Sequence, residues 1–247
     1  MGFLPGLSIS EDDLTLGQDA LAIWYGKLDV GADILESYAY VLCADEKARA
    51  DRFRFEKDRS HFVITRGVLR YLLGAYTNKR PEEIAFEYGQ KGKPELKNNA
   101  TLVRFNVSHS HGMSMWAFAV NRAVGVDVEY VKRMVDIDAV GKRFFSDNEW
   151  RDLRDLPEDQ RRQNFFRCWT RKEAFVKALG DGLTFSLKAF DVTVGEVAQL
   201  KRIDGEHDPQ KWTLQTFDPA PDYVGALAFE GQADVLYHTV MTQDSQV

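Results

Sequence analysis

The stretch AVGVDVEYV, residues 123–131, decides most of what can be predicted about this fold. Its valines alternate with other residues at a period of two, which is typical of a β-strand. The alternation places Asp127 and Glu129 on one face and Val126 and Val128 on the other. Two carboxylates this close repel each other unless a cation or solvent relieves them, and hard oxygen ligands at this spacing suit Mg²⁺. A solvated strand face with two acids explains the pattern equally, so this segment alone leaves both interpretations open.

A helix is predicted over residues 164–179, and glycines at 180 and 182 are expected to end it. Its apolar residues fall on one continuous stripe, which contains Phe165, Phe166, Trp169 and Val176. Glu173 falls inside this stripe, where a carboxylate is costly unless it is paired or bound to a metal. A surface ion pair from Glu173 to Lys177, four residues on, is the alternative. A third acid from this helix, meeting Asp127 and Glu129, would complete a Mg²⁺ site.

The order of predicted elements, a strand followed by helices and then strands, occurs twice and breaks near residue 122. In the first half we expect a strand at 23–25, helices over 44–54 and 57–76, and strands over 102–107 and 113–120. Asn121 and Arg122 supply turn chemistry, so the last of these strands is expected to form a hairpin with residues 123–131. The second half should contain a helix opened by a Ser146–Glu149 capping box, then strands near 190–194, 212–217, 223–229 and 235–240. The pattern predicts an α+β fold of two similar halves, residues 1–122 and 123–247.

Composition excludes several classes of protein. The chain has 247 residues, of which 44% are hydrophobic and 12% aromatic, so it can bury a substantial core. A net charge of −6 argues against a general nucleic-acid binder. The two cysteines, Cys43 and Cys168, have neither disulfide nor metal-ligand spacing. No basic region precedes an apolar stretch near the start, and no run approaches the ~18 apolar residues of a membrane span, so a cytoplasmic protein is expected.

Basic and polar residues in the first half form a third feature. Lys93 and Pro94 lie in a turn, and Ser108 and His109 close a strand with groups that can donate to phosphate. Arg49 belongs to a cluster of arginines ahead of both. A charged helix face and a polar strand end would explain the same residues. A serine–histidine catalytic pair is rejected, because adjacent strand residues point to opposite faces and no G-x-S-x-G elbow is present.

Taken in order, these segments resemble the signature of the Sfp-type, or group II, 4′-phosphopantetheinyl transferases. The motifs are GKP at 92–94, FNVSHS at 105–110, GVDVE at 125–129, RFFS at 143–146 and WTRKEAFVK at 169–177. Gly182-Leu183 and residues 190–192 also resemble that family. The resemblance covers nearly the whole chain, from Arg49 to about Phe229. It implies the 4′-phosphopantetheinyl transferase fold, with two similar α+β halves in a pseudo-twofold arrangement and a monomeric state.

The resemblance implies an enzyme that moves 4′-phosphopantetheine from coenzyme A to a serine of an apo acyl or peptidyl carrier protein. Asp127, Glu129 and Glu173 would hold Mg²⁺, with Mn²⁺ as an alternative, against the pyrophosphate. Lys177 would contact the pyrophosphate and assist the departing adenosine 3′,5′-bisphosphate. Glu173 would also help to deprotonate the carrier serine.

The first half, residues 1–122, would hold the nucleotide of coenzyme A. The resemblance implies that Lys93 and Pro94 border the adenine and that Ser108, His109 and Arg49 bind the 3′-phosphate. Glu46 stands where some relatives have a basic residue, so Arg49, Arg52 and Arg59 compete for that phosphate. The second half, residues 123–247, would hold the metal and dock the carrier along the segment from Val131 to Phe145.

Two other functions remain open on the sequence. A Mg²⁺-dependent nucleotide phosphohydrolase could use the same three acids with water as the nucleophile. A degenerate family member could bind a carrier protein without turnover, although Asp127, Glu129, Glu173 and Lys177 argue against that.

Overall fold

The structure is a computed structural model and describes Pro5 and residues 14–17, 19–89, 91–180, 185–205 and 207–240. Within these residues the chain forms eleven β-strands and six α-helices. The strands are β1 (Ala20–Lys27), β2 (Phe86–Tyr88), β3 (Pro94–Leu96), β4 (Val103–Ser110), β5 (Met113–Val120), β6 (Val124–Tyr130), β7 (Phe190–Val192), β8 (Leu200–Ile203), β9 (Trp212–Phe217), β10 (Tyr223–Glu230) and β11 (Asp234–Thr239). The helices are α1 (Ala32–Tyr40), α2 (Ala44–Ala50), α3 (Glu56–Thr77), α4 (Ile137–Phe144), α5 (Asp147–Arg154) and α6 (Glu158–Leu179).

Two main sheets lie between two long helices. The first sheet has the order β11-β1-β5-β4 and the second the order β6-β10-β9. Helices α3 and α6, each of 22 residues, cover their outer faces. The indole of Trp116 in β5 joins sheet to helix by donating to the carbonyl of Thr65 in α3, at 3.0 Å. The α+β class is therefore confirmed.

Alternation along the strands divides the core into three clusters. In β1, Ala22 and Trp24 pack towards α3, whereas Leu21 and Ile23 face the second sheet. The valines of β6 (Val124, Val126 and Val128) also pack between the sheets. Successive strand side chains point to opposite faces, so the remaining residues of β6 must face α6. This split confirms the two-faced strand predicted for residues 123–131.

The predicted hairpin between residues 113–120 and 123–131 is wrong. Strand β5 pairs on one edge with β1 and on the other with β4, so no edge of β5 is left for β6. Asn121 instead takes a left-handed conformation, and the chain crosses to the second sheet, where β6 pairs with β10. The tight hairpin is β4–β5, whose turn residues His111 and Gly112 both have positive φ, as such turns require.

Several predicted boundaries shift. The helix expected over 44–54 ends at Ala50, and the one expected over 164–179 begins six residues earlier, at Glu158. Gly180 ends α6 in the left-handed conformation, as predicted, whereas Gly182 and Leu183 lie outside the described residues. The Ser146–Glu149 capping box is present at the start of α5.

Strand β11 belongs to the second half of the sequence but adds to the first sheet, in parallel with β1. The second half therefore contributes one strand to the first sheet, and the division at residue 122 stays a prediction. In the part of the chain that the structure describes, no helix is long and apolar enough to cross a membrane.

Candidate active site

A glycine lets α6 lie directly on β6. Gly125 faces the helix, and a Cβ atom there would collide with the carbonyl of Ala174 and the amide of Ala178. With only hydrogen at this position, backbone meets backbone and the last two turns of α6 lie over the acidic face of β6. Lys177 is thereby brought into contact with Asp127, and Glu173 comes close enough for the charges of Asp127 and Glu129 to act on it.

Asp127 is buried and bonded through one oxygen only. Its Oδ1 accepts from the Lys177 ammonium at 2.7 Å and from the Ser108 hydroxyl at 2.8 Å. Lys177 also lies 2.9 Å from Ser108 Oγ and donates to the carbonyl of Val126 at 3.2 Å. The second carboxylate oxygen, Oδ2, is buried and has no hydrogen-bond partner among the described residues. A buried carboxylate oxygen without a partner is costly, so this atom is suited to a ligand.

Glu129 lies two residues further along the same face. Its Oε2 accepts from Ser110 Oγ at 2.8 Å and its Oε1 lies 3.2 Å from Arg133 Nη2. Burial raises the pKa of Glu129, and the negative charge of Asp127 raises it further. The two carboxylates therefore destabilise each other in the ionised state.

Glu173 on α6 is half-buried, and its carboxylate interacts through its charge with Asp127 and Glu129. Burial raises its pKa, and the charges of Asp127 and Glu129 add to that effect while Lys177 opposes it. The apolar stripe predicted around Glu173 is present, since Phe165, Phe166 and Val176 are buried. The predicted surface pair with Lys177 is replaced by the contact of Lys177 with Asp127.

Carboxylates are suitable ligands for a divalent cation, but these three are not arranged around a single point. Among the residues that the structure describes, no group of three or more His, Cys, Asp or Glu side chains is arranged to hold a metal ion. The Lys177 ammonium instead neutralises Asp127. Three mutually repelling carboxyls and the orphaned Oδ2 atom are nevertheless the donor set that Mg²⁺ prefers.

Strand β4 supplies the polar wall opposite α6. Asn106 Oδ1 accepts from the Val126 amide at 2.9 Å, and Ser108 and Ser110 bond to the two acids of β6. These three side chains, at alternate positions of β4, therefore form the contact between β4 and β6. His109 lies between the serines and is exposed, so the structure separates it from Ser108, as strand alternation requires.

Lys93 and Pro94 line a cavity of about 710 Å³ beside the first residues of β6 and the end of α6. Lys93 donates to the carbonyl of Lys177 at 2.6 Å, which links this cavity to the acidic cluster. Burial lowers the pKa of Lys93 to about 8. Arg104 and Arg122 add positive charge to the same cavity.

The three competing arginines do not share one environment. Arg49 and Arg52 line a second cavity, of about 930 Å³, on the other face of the β2–β3 hairpin. The Arg49 guanidinium lies over the ring of Phe62, 5.3 Å from its centre. Arg59 instead contacts Glu56 at 3.2 Å and Asp51 at 3.5 Å.

Ser110 and Arg133 contact Glu129 but were missed as site residues. Ser110 carried a usable signal, because it lies two residues after Ser108 on the same strand face. Arg133 lies in the segment that was assigned to carrier docking. It follows Glu129 by four residues and lies beyond the end of β6, so no strand or helix period relates the two residues. Glu46, noted for replacing a basic residue, accepts from Arg66 at 2.7 Å and Arg70 at 2.6 Å.

Comparison with known proteins identifies the class. Residues 123–228 match the 4′-phosphopantetheinyl transferase superfamily, and residues 32–120 match the N-terminal region of 4′-phosphopantetheinyl transferases. The chain belongs to this family and is a transferase enzyme, which confirms the resemblance to the Sfp type.

Individual relatives agree. The chain is 36% identical over 223 residues to 4′-phosphopantetheinyl transferase HetI of Nostoc sp., covering 89% of this chain and 91% of that protein. It is 26% identical over 192 residues to 4′-phosphopantetheinyl transferase Sfp of Bacillus subtilis, covering 76% and 82%. A crystal structure of Thermotoga maritima holo-[acyl-carrier-protein] synthase overlaps 44% of this chain and 63% of its own, with 23% identity and a TM-score of 0.35.

Proposed function

We propose that this transferase moves the 4′-phosphopantetheine group of coenzyme A to a serine of an apo acyl or peptidyl carrier protein in a Mg²⁺-dependent reaction. The serine oxygen forms a bond to the β-phosphorus, the bridging pyrophosphate bond breaks, and adenosine 3′,5′-bisphosphate leaves. The observation that carries the proposal is the buried Asp127, which is bonded to Lys177 and Ser108 through one oxygen and has a free second oxygen.

Asp127, Glu129 and Glu173 would hold the metal. Bound there, Mg²⁺ would act as a Lewis acid on the pyrophosphate and neutralise its charge. Burial, and after it the repulsion between the acids, raises the pKa of Glu129 and Glu173 in the free protein, and such a cation would offset both effects. Ser110 and Arg133 would keep the Glu129 carboxylate oriented, since each bonds to one of its oxygens.

Lys177 would stabilise the leaving group. Its ammonium is 29% exposed and already lies against Asp127, so it can reach a phosphate without leaving the site. A fixed positive charge beside the breaking bond lowers the barrier most when it is oriented before the reaction begins. The bond from Lys93 to the Lys177 carbonyl fixes this turn of the helix.

Glu173 would accept the proton of the carrier serine, directly or through a water. Burial raises the pKa of Glu173 in the free protein, which favours proton acceptance by whichever of its oxygens does not bind the cation. Glu173 is half-buried and belongs to α6, whereas Asp127 and Glu129 project from β6, so it can face an incoming carrier.

The nucleotide would occupy the cavity at the start of β6, with Lys93 and Pro94 bordering the adenine. Arg49, Ser108 and His109 stay the predicted contacts of the 3′-phosphate, although the structure turns His109 to the opposite face of β4 from Ser108 and places Arg49 at the second cavity. Arg49 and Arg52 face an open cavity while Arg59 is held by two acids, which favours the first two arginines for this role.

The carrier would dock along the segment from Val131 to Phe145. Both of these end residues are buried and serve as anchors, whereas Met134 between them is 99% exposed. Lys132 and Arg143 are exposed nearby and give the surface a basic rim. An apolar contact with a basic rim suits an acidic carrier protein. A cytoplasmic location, a monomeric state and a choice between Mg²⁺ and Mn²⁺ stay predictions.

Mass spectrometry of a panel of apo carrier proteins tests the proposal. With enzyme, coenzyme A and Mg²⁺, a carrier should gain the mass of one phosphopantetheine, and Glu173→Gln should abolish that gain without unfolding the enzyme. Glu158→Gln on the exposed first turn of the same helix is the matched control and should retain activity. An unchanged carrier mass with release of phosphate from the nucleotide would instead indicate a phosphohydrolase.

Full activity of Glu173→Gln would overturn the metal-site assignment. Binding of carrier without any transfer by the unsubstituted enzyme would indicate an inactive homologue.

A further inference from the structure

Three aromatic rings lie beside Glu129, at the end of the site away from the nucleotide cavity. The centre of the Tyr130 ring is 5.2 Å from that of His111 and 5.1 Å from that of Tyr223. The Tyr223 hydroxyl donates to the carbonyl of His111 at 2.7 Å and fixes the cluster across the two halves. His111 is exposed and both tyrosines are half-buried, so the rings keep surface available for a ligand.

The cluster is connected to the acidic site through Ser110. Ser110 has one proton and gives it to Glu129, so its oxygen accepts from the Nδ1–H group of His111, 3.2 Å away. In the neutral imidazole, that bond leaves Nε2 of His111 able to accept a hydrogen bond.

Strand β6 orders the parts of the site along one line. The strand begins at Val124, which lines the 710 Å³ cavity assigned to the nucleotide, and it passes Asp127 and Glu129 before it ends at Tyr130. A coenzyme A molecule with its nucleotide in that cavity and its pyrophosphate at the acids must extend its other end towards the rings.

The chemistry of that other end fits the cluster. The pantetheine arm carries a gem-dimethyl group one methylene from the phosphate, and then two amides. Aromatic faces bury methyl groups well, and the Nε2 atom of His111 can accept from an amide N–H. Strand alternation turns the Tyr130 ring to the opposite face of β6 from Glu129. Its contact with His111, whose neighbour Ser110 bonds to Glu129, nevertheless keeps the ring cluster beside the last acid of the site.

Building on the proposed function, we infer that His111, Tyr130 and Tyr223 form the subsite for the pantetheine arm of coenzyme A. The cluster orients the arm so that the β-phosphorus faces the carrier serine. It contacts the part of the substrate that is transferred, whereas Lys93 and Pro94 contact the part that is released.

A pair of ligands separates this subsite from the rest of the site. Adenosine 3′,5′-bisphosphate has the nucleotide of coenzyme A but no arm, and isothermal titration in the absence of a carrier can measure the affinity of each. We expect Tyr130→Ala and Tyr223→Ala to weaken coenzyme A about tenfold, the effect of losing one aromatic contact, and to leave the bisphosphate within about twofold.

Two milder variants guard against misfolding. His111→Ala changes an exposed side chain and should weaken coenzyme A selectively, whereas Tyr223→Phe keeps the ring and should retain most of the affinity. Tyr237→Ala is the matched control, because this half-exposed tyrosine also packs against an aromatic ring, Phe217, but lies on β11. It should change neither affinity.

The outcomes distinguish this inference from the function it rests on. Equal weakening of both ligands, or of neither, in the tyrosine variants would overturn the arm subsite while leaving the transferase proposal intact. An unchanged coenzyme A affinity with a raised KM for the carrier would assign the rings to the carrier instead. If the unsubstituted enzyme bound neither ligand, the proposed function and the subsite would both fail.

Discussion

Helix α6 carries two lysines five residues apart, and each faces a carboxylate in a different environment. Lys172 and Glu149 are 0% and 1% exposed, and both oxygens of Glu149 lie within 2.7 Å of the ammonium. Lys172 also donates to the carbonyl of Phe190, and Glu149 accepts from two backbone amides, those of Ser146 and Val192. Every polar group of this pair has a partner within the protein.

The pair of Lys177 and Asp127 differs in each respect. Lys177 is 29% exposed, and one oxygen of Asp127 has no hydrogen-bond partner in the described part of the chain. A pair whose polar atoms all have hydrogen-bond partners positions the helix. A pair with an unpartnered oxygen, lying beside two further acids, can still bond to a ligand. A lysine–carboxylate pair therefore serves structure at one turn of the helix and chemistry at the next.

Among substitutions in the two pairs, Lys172→Met should cause the largest loss of unfolding free energy. The substitution leaves the Glu149 charge buried without its partner, which typically costs about 3–5 kcal/mol of unfolding free energy. Lys177→Met should cost less than Lys172→Met, because removal of the 29% exposed ammonium opens Asp127 to water or a cation. Denaturant unfolding of both variants measures the difference, and equal losses would contradict the division into a structural and a functional pair.

The reverse ranking should hold for catalysis. Lys177→Met should lower the rate of phosphopantetheine transfer by about 100- to 1,000-fold, as expected when one preorganised charge is removed from a transition state. Single-turnover mass spectrometry at saturating coenzyme A isolates this step from binding. A rate within about threefold of the unsubstituted enzyme would refute the role proposed for Lys177.

Metal removal should have a smaller effect on stability, and this effect should depend on Asp127 and not on Glu149. With coenzyme A bound, Mg²⁺ at about 100 times its Kd should raise the unfolding free energy by about 2.7 kcal/mol, and chelation should reverse the gain. Asp127→Asn should abolish this response, while Glu158→Gln should preserve it. Thermal unfolding with and without chelator provides the measurement, and a full response in Asp127→Asn would exclude this acid as a ligand.

The smallest effect concerns pH and Lys93. Its folded pKa of about 8 lies below the ordinary value of 10.5, so the unfolded chain binds more protons between those values. Stability should therefore rise with pH across this window, by an amount on the order of 1 kcal/mol, as the penalty for the buried charge disappears. Unfolding at pH 7 and pH 10 should show this rise in the Lys97→Met control and lose it in Lys93→Met. The same rise in both variants would assign it to another group.

Local periodicity was sufficient for the strand face and the helix stripe that carry the three acids. The strand face with Asp127 and Glu129, the apolar stripe around Glu173 and the left-handed end at Gly180 all follow from spacing within single elements. Such signals extend over a few residues, and the structure preserves them because each element packs on one face.

Pairing between distant segments was not predictable in this way. Ser110 meets Glu129 only because β4 lies beside β6, and no residue pattern in either strand specifies its neighbour. Arg171, to which no role was assigned, is fully buried and donates to carbonyls of Thr193, Gly195 and Glu196. The sequence suggested no such burial, because an arginine on a helix is more typical of an exposed face.

The parallel pairing of β1 with β11 has a consequence for the order in which the chain folds. Residues 20–25 find their partners at residues 234–239, so one edge of the first sheet cannot form until nearly the whole chain has left the ribosome. Pairings between such distant segments are slow, because a long loop must close before the contact is gained. That edge of the first sheet must therefore wait, with β1 unpaired on that side, and it is the place where chaperones that shield strand edges would act during synthesis.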